Sequence, residues 1–108
     1  MSTPERERRL VSIRRSVAPE RRDDYDAAWG LLHAASTARG AHAWRFRAAS
    51  VPDLFLEFLE FGADADLRED PAALAAIMAL HEAFGDPYPV PRTLEEWIEI
   101  PTPNPELP

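Results

Sequence analysis

Cysteine is absent, which excludes disulfides, thiolate nucleophiles and every cysteine-based metal site and leaves the redox compartment open. Lysine is absent too. All 12 basic residues are arginine, a bias most simply read as genome composition. Asparagine occurs once, as Asn104. No segment approaches the roughly 20 apolar residues of a membrane helix. The opening MSTPERERRLVSIRRSV lacks the apolar run of about 7 residues that a secretory leader requires, so a cytoplasmic address is expected. GxSxG, P-loop and GxGxxG motifs are missing, which leaves nucleophilic hydrolysis, nucleotide binding and dinucleotide chemistry without support. The three histidines, His33, His42 and His81, form no i, i+4 pair and no HExxH, so no metal is expected.

What is present centres on Gly40 to Phe61, GAHAWRFRAASVPDLFLEFLEF. His42, Trp44 and Phe46 alternate with Ala43, Arg45 and Arg47, the period-2 pattern of an amphipathic strand. After Ser50-Val51-Pro52-Asp53, LFLEFLEF is apolar on both faces: Phe55, Leu59 and Phe61 on one, Leu54, Leu56 and Phe58 on the other. Such a strand belongs inside a sheet. Leu54, Phe55, Phe58 and Leu59 also fit a helical stripe, but Gly62 ends the run after about eight residues, a strand's length.

Upstream, Leu10–Val17 reads as a first strand, with Val11, Ile13 and Val17 against Ser12, Arg14 and Ser16. Pro19 and Glu20 open a helix whose stripe is Tyr25, Ala28, Trp29, Leu32 and Ser36, and Gly40 ends it. Downstream, ADADLRED is an acidic loop. Asp70-Pro71 starts a second helix with the stripe Leu74, Ile77, Met78, His81 and Phe84, closed by Gly85. DPYPVPR is a stiff connector, Thr93–Ile100 a last strand, and PTPNPELP an extended tail. The 108 residues make one domain, 9–100, between a flexible N-terminus (1–8) and a Pro-rich tail (101–108).

The order β-α-β-β-α-β is ferredoxin-like, an α+β fold for which right-handed crossovers give the antiparallel strand order 4-1-3-2 with both helices on one face. Charge is split along the chain. Residues 1–47 carry ten arginines against six acids, and residues 48–108 two arginines against thirteen acids, giving +4 and −11 within a net of −7. That strand order sets arginines of the first two strands beside Glu57, Glu60, Glu95, Glu96 and Glu99, so the split reads mainly as neutralisation within the sheet. The net negative charge and the lack of a stacking module argue against a nucleic-acid partner. Two helices cover one face only. The other would expose strand 3 with either the Trp44/Phe46 row or Trp97, which a second copy packed sheet to sheet would cover.

The hairpin GAHAWRFRAASVPDLFLEFLEF resembles the strand 2 to strand 3 region of antibiotic biosynthesis monooxygenase-like proteins of the dimeric α/β-barrel superfamily: a Gly-led strand ending in an aromatic-Arg pair, a short Asp/Pro/Phe turn, and a further strand. The resemblance runs loosely from Leu10 to Ile100. It implies a ferredoxin-like protomer, a homodimer and a pocket between each sheet and its helices. Departures bear on activity. Phe61 stands where active members often carry Trp, Ala72 and Ala73 follow the second helix start where many have His, and the first strand lacks the Asn of the haem-degrading branch. Haem and cofactor-free oxygenation both lose support, and no cofactor is expected.

His42, His81 and Arg45 are the candidate catalytic residues: a histidine as general base and an arginine steadying negative charge. Packed structural roles are the alternative for both histidines, and His33 reads as surface. Tyr25, Trp29, Trp44, Phe58, Phe61 and Trp97 are the candidate ligand-binding aromatics, with core packing as their alternative. The sequence thus points to a homodimeric α/β-barrel protein that binds a small apolar or aromatic ligand between sheet and helices, without nucleic-acid or membrane partners. The second reading is a cofactor-independent monooxygenase acting on an aromatic or polyketide-like substrate. Whether the chain is an enzyme is left open, leaning against.

Overall fold

A computed structural model describes residues 7–85 and 95–103. The expected Pro-rich connector, Thr93 and Leu94 of the last strand, most of the tail and most of the N-terminal segment lie outside the described residues. The elements are β1 (Arg8–Ser16), α1 (Arg22–Ala38), β2 (His42–Arg47), β3 (Leu54–Gly62), α2 (Pro71–Phe84) and β4 (Glu95–Ile98). They form an α+β ferredoxin-like unit with one antiparallel sheet in the order β2-β3-β1-β4. β1 begins at Arg8, two residues before the expected start. The Ala63 N–H donates to the Glu7 carbonyl (2.8 Å) and the Glu99 N–H to the Arg8 carbonyl (3.0 Å), so the chain on both flanks holds that end in place.

Each helix is fixed by the local chemistry at its ends. α1 follows a single 3-10 turn, Pro19–Arg21. It ends in a Schellman motif: Gly40 takes φ 73°, its N–H donates to the Thr37 carbonyl, and the Ala41 N–H donates to the Ser36 carbonyl. α2 starts on Asp70, whose side chain accepts from the Ala73 N–H at 3.0 Å, with Pro71 at the first helical position. Arg39 at the end of α1 pairs with the same Asp70, tying one helix terminus to the other. The expected acidic loop is more ordered than its composition suggests. Two 3-10 turns, Ala63–Ala65 and Leu67–Glu69, bury Leu67 completely against the core.

The stripe of α1 buries Tyr25, Trp29, Leu32 and Ser36, as its periodicity predicts. That of α2 is rotated. Ala73, Leu80 and Phe84 are buried and Ala76 and Ile77 pack against them, while Leu74, Met78 and His81 turn outward. Small residues decide the rotation, because Ala73 and Ala76 let α2 approach its neighbours more closely than the larger Leu74 and Met78 would.

The sheet separates two faces by strict alternation. Toward the helices point Val11, Ile13 and Arg15 from β1, Phe55, Glu57, Leu59 and Phe61 from β3, and Ala43 and Arg45 from β2, while Val17, just past β1, is buried in the same core. On the opposite face stand His42, Trp44 and Phe46, next to Leu54, Leu56 and Phe58. Trp97 of β4 lies on that same face and donates from Nε1 to the Ser12 hydroxyl at 2.9 Å. The sequence left a choice between the Trp44/Phe46 row and Trp97, and the register exposes both.

Opposite charges meet across the sheet, as the strand order requires: Arg8 with Glu60 (2.6 Å), Arg9 with Glu96 (2.8 Å) and Arg15 with Glu57 (2.9 Å). Arg45 departs from this scheme and turns to Asp26 of α1 (2.6 Å). Phe61 is 1% exposed and Leu31 69%. Phe61→Ala should therefore cost about 3–5 kcal/mol, and Leu31→Ala less than about 0.5 kcal/mol, in chemical denaturation.

Candidate functional site

Between the helix-facing side of the sheet and the two helices lies a cavity of about 250 Å³. Its wall is mostly aliphatic, built from Val11, Ile13, Leu32, Leu59, Ile77 and Met78. Three polar side chains join them: Arg15, Glu57 and His81.

Arg15 and Glu57 sit at adjacent strand positions within the covered face, and both are almost wholly buried. The Arg15 Nε donates to Glu57 Oε2 at 2.9 Å, and the Tyr25 hydroxyl donates to the same oxygen at 2.7 Å. A charged pair in this setting is strongly coupled, because little water screens it. Burial and the adjacent carboxylate push the Tyr25 phenol well above its ordinary range, so it remains a protonated donor at neutral pH. Arg15 does not engage Glu57 through a full fork. Its Nη1 is buried without a hydrogen-bond partner among the described residues.

The candidate residues fall into separate places. His81 borders the cavity, but from the exposed flank of α2, because the helix is rotated. His42 lies across the sheet on the open face, where its Nδ1 is 2.9 Å from Glu60 Oε1 and its ring stacks on Trp44 with centroids 5.3 Å apart. Arg45 faces the helices, yet Asp26 holds it and its guanidinium lies over Tyr25 (5.1 Å) and Trp29 (5.7 Å), away from the cavity wall. The three residues are not brought together.

The aromatic candidates divide in the same way. Tyr25, Trp29 and Phe61 are core residues on the covered side: Tyr25 packs on Phe55 and Phe84, and Phe61 lies beneath Arg68. Trp44, Phe58 and Trp97 are on the open face. None of the six is in the cavity wall; β2 offers its small Ala43 to the helices and turns Trp44 outward.

The strand order set Arg15 beside Glu57 as charge neutralisation between neighbouring strands, but the sequence did not mark the two as site residues. The signal was nevertheless present, since Arg15 continues the run Val11, Ile13 and Val17, and Glu57 interrupts Phe55, Leu59 and Phe61. Opposite charges inside the apolar rows of neighbouring strands mark a buried pair.

No helix among the described residues is long and apolar enough to cross a membrane, and no group of three or more His, Asp or Glu among them could hold a metal ion. No family model matches the chain, and no curated protein matches it either. Solved structures do. SnoaB from Streptomyces nogalater, a cofactor-independent oxygenase, superposes with a TM-score of 0.64 at 15% identity over 95% of this chain and 100% of its own. The fold is that of the antibiotic biosynthesis monooxygenases. A candidate antibiotic biosynthesis monooxygenase from Nitrosomonas europaea gives a TM-score of 0.62 at 13% identity, covering 91% of this chain and 93% of its own. One from Bordetella bronchiseptica gives 0.61 at 16%, covering 91% and 99%. At such identities the likeness is one of fold.

The open-face cluster provides a pH test. Arg8 grips Glu60 through Nε (2.8 Å) and Nη2 (2.6 Å), and this charge-assisted fork, more than the His42 contact, holds the Glu60 carboxyl down to about 2 from 4.5. A lowered folded-state pKa stabilises the protein above the unfolded value and is lost as pH falls through the folded one. Glu60→Gln should be less stable than wild type at pH 7. The gap should close between about pH 4.5 and about 2, as read by denaturation midpoints across that range.

Proposed function

We propose that the chain works as a homodimer, joined through its open sheet faces, that binds a small apolar or aromatic molecule in the cavity between each sheet and its helices. The observation that carries this reading is the cavity itself: about 250 Å³ with six aliphatic side chains in its wall. Binding sites for small molecules are largely apolar concavities with a few convergent polar groups, and at this size the occupant has one or two rings. The dimer is supported by the other face. Trp44, Phe46 and Trp97 are 45%, 56% and 49% exposed there. Soluble monomers rarely keep so many large apolar side chains wet on one surface.

His81 in the cavity wall favours a second reading, cofactor-independent oxygenation of the bound molecule with His81 as the base. Its signature would be oxygen uptake with a bound naphthol that His81→Ala removes while leaving binding intact.

Tetralin, a saturated two-ring hydrocarbon, is the probe for the cavity. Calorimetry should detect its binding to wild type, and Ile13→Phe, which fills the cavity from β1, should weaken binding about tenfold or more. Equal binding to both proteins would rule out this site. For the dimer, sedimentation should give twice the chain mass at micromolar concentration, and Phe46→Glu should halve it, since a charge there would be buried unpaired at the interface. A wild-type monomer would contradict the assembly.

A further inference from the structure

We propose that the hairpin end of the open sheet face carries a second binding site, for a small carboxylate with an apolar body, held by Arg14 and Arg47. The way the arginines are engaged points to it. Of the ten described arginines, eight have a side-chain partner: Arg21 donates to the Ala83 carbonyl, and the other seven meet a carboxylate. Arg14 and Arg47 have none among the described residues, although the chain carries 19 acids against 12 arginines. Both line the same hollow, about 400 Å³, with Phe46, Leu54 and Leu56 in its wall.

The sheet register builds this hollow. Arg14, Leu56 and Phe46 stand side by side across β1, β3 and β2 on the open face. Arg47 is the last residue of β2 and Leu54 the first of β3, and the Ala48 N–H donates to the Leu54 carbonyl at 2.9 Å, continuing the ladder one residue further. Arg47 opposes Phe55, whose side chain faces the helices, so it borders the hollow from the strand end. The hollow thus lies where both strands finish, at the margin of the face assigned above to the second copy, in which Phe46 is a partner contact. Asp53 shares a neighbouring hollow with Arg47 but makes no ion pair with it.

The wall selects the ligand. A guanidinium presents forked N–H donors that match the two oxygens of a carboxylate. Phe46, Leu54 and Leu56 offer apolar surface to the group that the carboxylate is attached to, the combination usual in small-molecule sites. An inorganic anion would leave that wall wet, and a neutral apolar molecule would leave both cations unanswered.

The test is calorimetric titration of the full chain, at pH 7 and low salt, with 4-phenylbutanoate and with 4-phenylbutan-1-ol, which has the same body without the charge. The carboxylate should bind about tenfold tighter than the alcohol, the combined yield of two exposed ion pairs. Arg14→Gln and Arg47→Gln should each weaken the carboxylate about three- to fivefold, and together they should bring acid and alcohol to equal affinity. Both side chains are exposed, so neither change threatens the fold. Ile13→Phe, which fills the helix-side cavity and weakens tetralin, should leave carboxylate binding unchanged, so the two sites fail or stand separately. Equal affinities for acid and alcohol in wild type, a preference that survives the double change, or loss of the carboxylate in Ile13→Phe would each overturn the assignment.

Discussion

The covered face of the sheet is organised around one buried ion pair, Arg15 with Glu57, bridged to α1 by the Tyr25 hydroxyl. Apolar burial alone would pack β1, β3 and the helices in more than one register, because aliphatic side chains are interchangeable within about 1.5 kcal/mol. The pair is not interchangeable. A one-residue slip of β1 against β3 would move Arg15 to the open face and leave Glu57 alone in the core, a cost of several kcal/mol. A strand-to-strand register and the seating of a helix therefore depend on the same three side chains.

The two faces of the sheet follow different rules as a result. Toward the helices, Arg15 and Glu57 are buried, Arg9 with Glu96 and Arg45 with Asp26 pair at partly exposed positions, and Leu59, Leu32 and Ile77 border the space left between sheet and helices. On the other face, aromatic rings and a surface charge cluster share the area: His42, Glu60 and Arg8 lie beside Trp44, Phe46 and Phe58. β2 sets this division by presenting Ala43 inward and Trp44 outward. The row with the greatest aromatic mass thus serves the open surface, and the cavity is bounded by aliphatic side chains.

Much of the architecture was legible in the amino-acid order. Period-2 alternation around Trp44 and Phe58, the Asp70-Pro71 start and Gly40 are local signals, and local chemistry governs the elements they mark. The strand order, read from right-handed crossovers, also anticipated that β1 arginines would meet glutamates of β3 and β4. The cavity was less legible because its wall depends on helix rotation and on which sheet face is covered, both tertiary outcomes. Ala73 and Ala76 displaced Leu74 and His81 from the inward position of α2, and no local pattern distinguishes those two stripes. Aromatic residues drew attention as ligand contacts because of their size. The groups that border the cavity are a buried arginine and a glutamate whose charges looked like surface features when read singly.

The central claim is that Arg15 and Glu57 act as a unit inside the covered face, and a double-mutant cycle on stability tests it most directly. Denaturation free energies are needed for Arg15→Leu, Glu57→Leu and the two together. Each single change should cost about 3–5 kcal/mol by stranding a buried charge, whereas the double change should recover most of that loss. Additive losses, with the double variant as unstable as the sum of the singles, would contradict the account.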